Sequence, residues 1–373
     1  MKAKILVSLT FICFLFIISV NTIPAESNQK KEPKLWEKAR KIHDEALVLD
    51  AHAHPVIGGN NPRIDLELGG KTGKSQVDFI TMKEGGLDGL FLALPLMKEE
   101  DRDKPVKMIL DSIEIIKNHV QKYPLLAEIA LIPADIRKIH EAGKRAVLLS
   151  IEYSDRLGGR IEMVEEYYKR GIRSITVTHD EIDRLENESS SEGRLSDFGR
   201  DVIERMNRVG MLIDITHASD KLQLGVIKAS QAPVIASHSC MRALYDKPRN
   251  ISDDMLKALA DKGGAVMVTF ACGHLSREYA EKAEKEGEFP PSVNIEVLID
   301  HIDHAVKTIG VDHVGLGSDF VGHVNPVGLE TASGLPLITY HLLKRGYSER
   351  DIKKILGGNL LNILEKVDEI SQR

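Results

Sequence analysis

Four apolar, strand-like runs each end in a residue type that binds metal ions. LVLDAHAH (47–54) ends in His52 and His54, VLLSIE in Glu152, LIDITH in His217 and VIASH in His238. Residues i and i+2 of a strand face the same side, so His52 and His54 can serve one ion. A fifth run, HVGLGSDF, carries Asp319, an acid where a general base would stand. A lone histidine after an apolar run is more often a packing or loop residue than a ligand. Five ligand types and an acid at the same ends of separate strands are harder to produce by accident, because β/α barrels build their active sites at that end. The chemistry they suggest is hydrolysis at a two-metal centre.

Two divalent ions about 3.5–4 Å apart repel each other and need a shared anionic ligand. Glu152 is in phase with the other ligands and is the natural bridge, with Asp155 as the fallback. His52 and His54 would hold one ion, His217 and His238 the other. Imidazole and carboxylate ligands suit zinc, with manganese or cobalt as the alternatives. Coordination lowers the pKa of a bound water toward about 7, which makes a hydroxide nucleophile at neutral pH. Asp319 would take the proton from that water and return it to the leaving amine. Asp50 lies on the face of His52 one layer deeper and reads as structural support. His179, closing SITVTH, is poised to polarise a substrate carbonyl. Arg249, in KPRNIS after His238, offers a planar guanidinium that can grip a carboxylate through two hydrogen bonds. His43, His140, His301, His304 and His341 fall in helical stretches and read as surface or packing residues.

These residues need a scaffold that brings strands far apart in sequence to one rim. Apolar runs of strand length recur at 47–54, 87–95, 145–154, 174–180, 211–219, 233–239, 265–270 and 313–319. Helical patterns lie between them, as in LSDFGRDVIERMNRVG, where Phe198, Val202, Ile203 and Met206 share a face and Gly210 stops the helix. Ser252 heads another helix as its N-cap, and Gly263 closes it. Eight continuous apolar strands alternating with helices predict an α/β fold, a single (β/α)8 TIM-like barrel with the metal site at the C-terminal strand ends. A doubly wound open sheet would gather its site at one switch point instead of drawing it from strands spread over 47–319. The segment EPKLWEKARKIHDE reads as a helix below the first strand, with Trp36 and Ile42 as its apolar contacts. Residues 96–124 read as a charged outer helix, and the unpatterned DEIDRLENESSSEGRLS (180–196) as a loop over the site.

The net charge of −6 over 373 residues is modest and contains no basic block. Nucleic-acid binding therefore has no electrostatic support, and a small-molecule substrate is expected. MKAKILVSLTFICFLFIISVNTIPA joins two lysines to an apolar run that is shorter than the roughly 20 residues of a spanning helix. It reads as a secretory signal peptide over 1–25, followed by a polar linker at 26–35 and the barrel at 36–373. An exported protein follows, periplasmic or extracellular, membrane-associated only if the signal is retained and otherwise without a transmembrane span. Cys240 and Cys272, just beyond consecutive strands, are expected as free buried thiols, with a disulfide near the site mouth as the alternative.

With these residues in view, the chain resembles the membrane dipeptidase family of zinc peptidases, also called renal dipeptidase, over about residues 36–366. The most specific stretches are GMLIDITHASD, PVIASHSCMRAL, RNISDDMLKALADKGGAVMV, GVDHVGLGSDFVG and RGYSERDIKKILGGNLLNIL. By that resemblance His52, Glu152, His217 and His238 match the zinc ligands, with Glu152 bridging. Asp319 matches the catalytic acid, His179 the histidine at the scissile group and Arg249 the arginine on the substrate carboxylate. The resemblance implies a TIM-like barrel, commonly a homodimer, that cleaves dipeptides and tolerates a D-residue at the second position. Two departures stand out. The family reads His-x-Asp at the end of the first strand where this chain has His-x-His, so His54 replaces a carboxylate and leaves the site one charge more positive. After His179, DEIDRLENESSSEG stands in place of a tryptophan-containing loop. The expected function is zinc-dependent hydrolysis of small dipeptides. The alternatives are a hydrolase of the same scaffold acting on a lactam, lactone or N-acyl amino acid, and a non-catalytic metal-binding protein, against which the presence of Asp319 argues.

Overall fold

The computed structural model describes residues 31–54, 75–94, 104–177, 195–286 and 290–372. The expected signal peptide, the first half of the linker, His179 and nearly all of the 180–196 loop lie outside the described residues. Nine parallel strands form one sheet: β1 (Leu49–Ala53), β2 (Gly89–Leu94), β3 (Ala127–Ile129), β4 (Arg145–Ile151), β5 (Ile172–Thr176), β6 (Leu212–Asp214), β7 (Val234–Ser239), β8 (Ala265–Val268) and β9 (Val314–Leu316). Their order is β1-β2-β4-β5-β6-β7-β8-β9. The ring closes just past the ends of β9 and β1, where Ala53 bridges Phe320. There the Asp319 N–H donates to the His52 carbonyl at 2.9 Å and the His54 N–H to the Phe320 carbonyl at 3.0 Å. The barrel expected from the eight apolar runs is the observed fold.

β1, β2, β6, β7, β8 and β9 are buried along their whole length, as strands covered by helices must be. The unexpected ninth strand, β3, pairs with the first half of β4 (Arg145–Val147), and β5 takes the same edge from Leu149 onward. Three residues of sequence AEI, one buried, one exposed and one between, carry too little pattern to read as a strand.

The covering helices follow their sequence signals. The helix Asp197–Val209 is capped by Ser196, whose hydroxyl accepts from the Gly199 N–H, and ends at Gly210 with φ 78°. Val202, Ile203 and Met206 are its buried stripe. Ser252 caps the helix Asp253–Asp261 in the same way. The first helix, Pro33–Asp44, buries Ile42 and sets Trp36 edge-on against Tyr340 of the helix Pro336–Lys344. Asn359, heading the C-terminal helix Asn359–Ser371, donates from Nδ2 to the Val311 and Val314 carbonyls at the start of β9. Leu360, Leu361, Ile363 and Leu364 of that helix pack with Leu49, Phe91, Leu148 and Met267. This packing leaves the opposite strand ends to hold the chemistry. Gly317 is what lets β9 run into that rim, since a Cβ there would lie 1.8 Å from the Ser237 carbonyl oxygen.

Among the sequence-read histidines, His43 and His301 are buried packing residues. His43 bonds Thr339 Oγ1 and the Gly85 carbonyl, and His301 accepts from the Met241 N–H. Cys240 and Cys272 are free and buried. Among the described residues, no helix is long and apolar enough to cross a membrane.

Candidate metal centre

Six of the sequence-read residues converge at the C-terminal strand ends. His52 lies in β1 and His54 follows it; Glu152 follows β4, His217 follows β6, His238 lies in β7, and Asp319 lies three residues past β9. Glu152 is buried at 4 % exposure, and its Oε1 lies 4.0 Å from His52 Nε2. Oε1 lies 2.9 Å from His217 Nε2 and 3.5 Å from His238 Nε2, while Oε2 lies 3.6 Å from His54 Nε2. The His52 and His54 Nε2 atoms are 3.3 Å apart, and those of His217 and His238 are 3.1 Å apart. The imidazoles of His52 and His238 stack with centroids 3.7 Å apart, joining the two pairs. Asp155, the fallback bridge, instead pairs with Arg156 at 2.5 Å.

Three overlapping donor groups result: His52, His54 and Glu152; Glu152, His217 and His238; and His52, His238 and Asp319. Within each, the ligand atoms lie within 4.8 Å of one another. Buried, mixed imidazole and carboxylate donors of this kind fit divalent transition ions. The electrostatics agree with that use. Burial depresses His52 to about 4 and His238 well below the ordinary histidine value, so both are neutral at physiological pH. Burial pushes Glu152 up, but hydrogen bonds from His217 and His238 outweigh it and hold the carboxyl well below its usual range. Asp319 is likewise held ionised against burial by the neighbouring histidines, including a contact from His323. His54 is raised, burial being overcome by its bond to Asp319 and by the charges of Glu152 and Asp319.

Several polar residues that hold the ligands gave no signal in the sequence. Asp214, the last residue of β6, accepts from the hydroxyls of Thr176, Thr216 and Ser237 and from the Thr216 and Ser237 N–H groups. Ser237 Oγ, donating to Asp214 at 2.6 Å, has its lone pair free to accept from His238 Nδ1 at 2.8 Å. That chain fixes the His238 tautomer with its Nε2 lone pair aimed at the cluster. Replacing Ser237 with alanine is expected to weaken metal retention about 10-fold, within the range seen when such supports are lost. Titration of metal release against a chelator checks this. Asp50 supports the other side: its Oδ1 accepts from the His52 and Ser318 N–H groups, and burial lifts its carboxyl to about 7.

Strain gathers here too. Tyr153, His217 and Asp319 have φ of 72°, 71° and 60°, and Val321 of 74°, in a left-handed region that non-glycine residues rarely enter. Each of the first three lies within three residues of a strand end at the site. Such outliers cluster at functional centres, where the surrounding structure over-determines them. His323 sets Nε2 3.3 Å from Asp319 Oδ2 and is half-exposed, linking the acid to the rim. Arg249 reaches in from the loop after β7: Nη2 donates to the His238 carbonyl at 2.9 Å and lies 3.3 Å from His217 Nε2, and Nη1 is 3.3 Å from Ser239 Oγ. Its Nε is buried without a partner among the described residues.

A closed parallel barrel with this imidazole and carboxylate cluster on its C-terminal rim defines a metal-dependent hydrolase. Comparison with known proteins narrows the class. The family model described as membrane dipeptidase (peptidase family M19) matches residues 36–373. Dipeptidase 3 of Mus musculus is 30 % identical over 357 residues, covering 92 % of this chain and 69 % of that protein. Dipeptidase verJ of Clonostachys rogersoniana is 32 % identical over 273 residues, 72 % of this chain and 67 % of that protein. The crystal structure of the probable dipeptidase PvdM from Pseudomonas aeruginosa superposes with a TM-score of 0.79 at 26 % identity, covering 91 % of this chain and 99 % of that one. The chain belongs to the membrane dipeptidase family, and it is a metallo-dipeptidase.

Proposed function

We propose that this enzyme binds two zinc ions and hydrolyses the amide bond of small dipeptides, accepting a D-residue at the C-terminal position. The observation that carries the reading is the single convergence of His52, His54, Glu152, His217 and His238 with Asp319 and Arg249 at its edges. His52 and His54 would hold one ion, His217 and His238 the other, and Glu152 would bridge them. When bound, the ions supply Lewis acidity toward a carbonyl oxygen and lower the pKa of water.

The chain's own residues do the rest. Asp319, ionised and 3.4 Å from His54 Nε2, would accept the nucleophile's proton and hand it to the departing amine. Arg249, beside His217, would grip the free C-terminal carboxylate and so set the scissile amide over the cluster. Its buried Nε supports this, since a buried donor left unpaired is costly and a bound carboxylate would satisfy the guanidinium. His179 is assigned to the scissile carbonyl by the family resemblance, which also supports tolerance of a D-residue. The N-terminal charge and apolar pattern supports export.

Kinetics of Arg249→Ala test the carboxylate assignment. kcat/KM is expected to fall about 100-fold or more on dipeptides, as when one partner of a buried charge pair is removed. A substrate that lacks the free carboxylate should lose far less. Equal losses on both would take Arg249 out of substrate binding.

A further inference from the structure

Tyr153 directly follows Glu152 at the end of β4 and adopts φ 72°, ψ 117° before the turn Ser154–Leu157. A glycine would take this conformation without penalty, whereas a residue with a Cβ is strained in it. Closing the turn therefore does not call for tyrosine, and the strain points to a use for the side chain.

The ring is fixed in place. It lies 5.2 Å from the His217 ring, tilted at 53°, with the Arg156 guanidinium 5.6 Å from its centroid. Arg156 is itself held, by Asp155 at 2.5 Å and through its carbonyl, which accepts from the Tyr167 hydroxyl at 2.7 Å. The Tyr153 hydroxyl has no hydrogen-bond partner among the described residues. As a phenol, with an ordinary pKa of about 10, it is a protonated donor at neutral pH.

Tyr153 and Arg249 thus both lie beside His217. Arg249 already spends Nη2 on the His238 carbonyl, and a carboxylate has about four lone-pair sites to fill. We propose that Tyr153 is a specificity-determining residue whose phenol O–H joins Arg249 in binding the substrate's free carboxylate, while its ring walls the pocket beside His217. A neutral donor adds affinity there without adding positive charge beside the metal ligands. The inference rests on the dipeptidase reading above.

Tyr153→Phe removes the hydroxyl and keeps the ring and the backbone. Its KM for L-Ala-D-Ala is expected to rise about 10-fold, the worth of one hydrogen bond to a charged group, with no matching fall in kcat. On the C-terminal amide of the same peptide the penalty should shrink to about twofold, since a neutral acceptor gains less. An unchanged KM on the dipeptide, or a loss confined to kcat, overturns the inference and leaves the dipeptidase reading intact. Wild-type protein inert toward both peptides overturns both. The strain has its own check: Tyr153→Gly should melt about 1–3 °C above Tyr153→Ala, because only glycine relaxes at this φ. An alanine variant at least as stable would remove the premise.

Discussion

Replacing Asp319 with alanine is expected to cut kcat on a small dipeptide about 100-fold or more while the protein keeps its metal ions. The acid is 3 % exposed, lies at φ 60° and is anchored by its own N–H on the His52 carbonyl, so its carboxylate is presented with little freedom. Its Oδ1 faces His54 at 3.4 Å and its Oδ2 faces His323 at 3.3 Å. One arrangement serves a proton carrier, with a contact toward the cluster and another toward the rim. Because Asp319 also falls within reach of His52 and His238, metal content separates two roles. Ions retained with turnover lost identifies the base; ions lost together with turnover makes Asp319 a ligand. Elemental analysis beside steady-state kinetics on the same preparation makes the distinction.

Glu152→Gln should have the larger structural effect. The carboxylate reaches both histidine pairs, His54 through Oε2 and His217 and His238 through Oε1, and an amide cannot replace its charge between two cations. At least one ion is expected to be lost, turnover to drop about 1,000-fold or more, and the thermal stabilisation given by added zinc to shrink. Ions that bind the native state at about 1,000 times their dissociation constant contribute roughly 4 kcal/mol of stability, so the difference should be plain in melting curves with and without metal. Metal content equal to wild type would remove Glu152 from the bridging position.

The barrel was legible because its strands are buried on both faces and their apolar runs are continuous, and the ligands stood at the ends of those runs. The i, i+2 rule paired His52 with His54 correctly in space, and the structure brings their Nε2 atoms to 3.3 Å. What the sequence hid is polar and local. Asp214 and Ser237 look like ordinary strand-end residues until Ser237 is seen between Asp214 and His238. His323 lies in an unpatterned loop, and its contact to Asp319 depends on a turn that residue types do not encode. Tyr153 is hidden for a different reason: its backbone behaves as a glycine would, and no glycine is there to announce it. β3 was missed because three residues, only one of them buried, fall below any periodic signal.

The His-x-His end of β1 gives the chain its own character. With a histidine in place of an acid, the site carries one negative charge fewer than a His-x-Asp site would. The proposed base and bridge are held ionised all the same.

The most direct test is hydrolysis of L-Ala-L-Ala and L-Ala-D-Ala by the chelator-stripped protein, before and after zinc is restored, with bound metal counted in each sample. The account predicts no cleavage when stripped, and recovery on both peptides as occupancy approaches two ions per chain. Full zinc occupancy without cleavage of either peptide would contradict it.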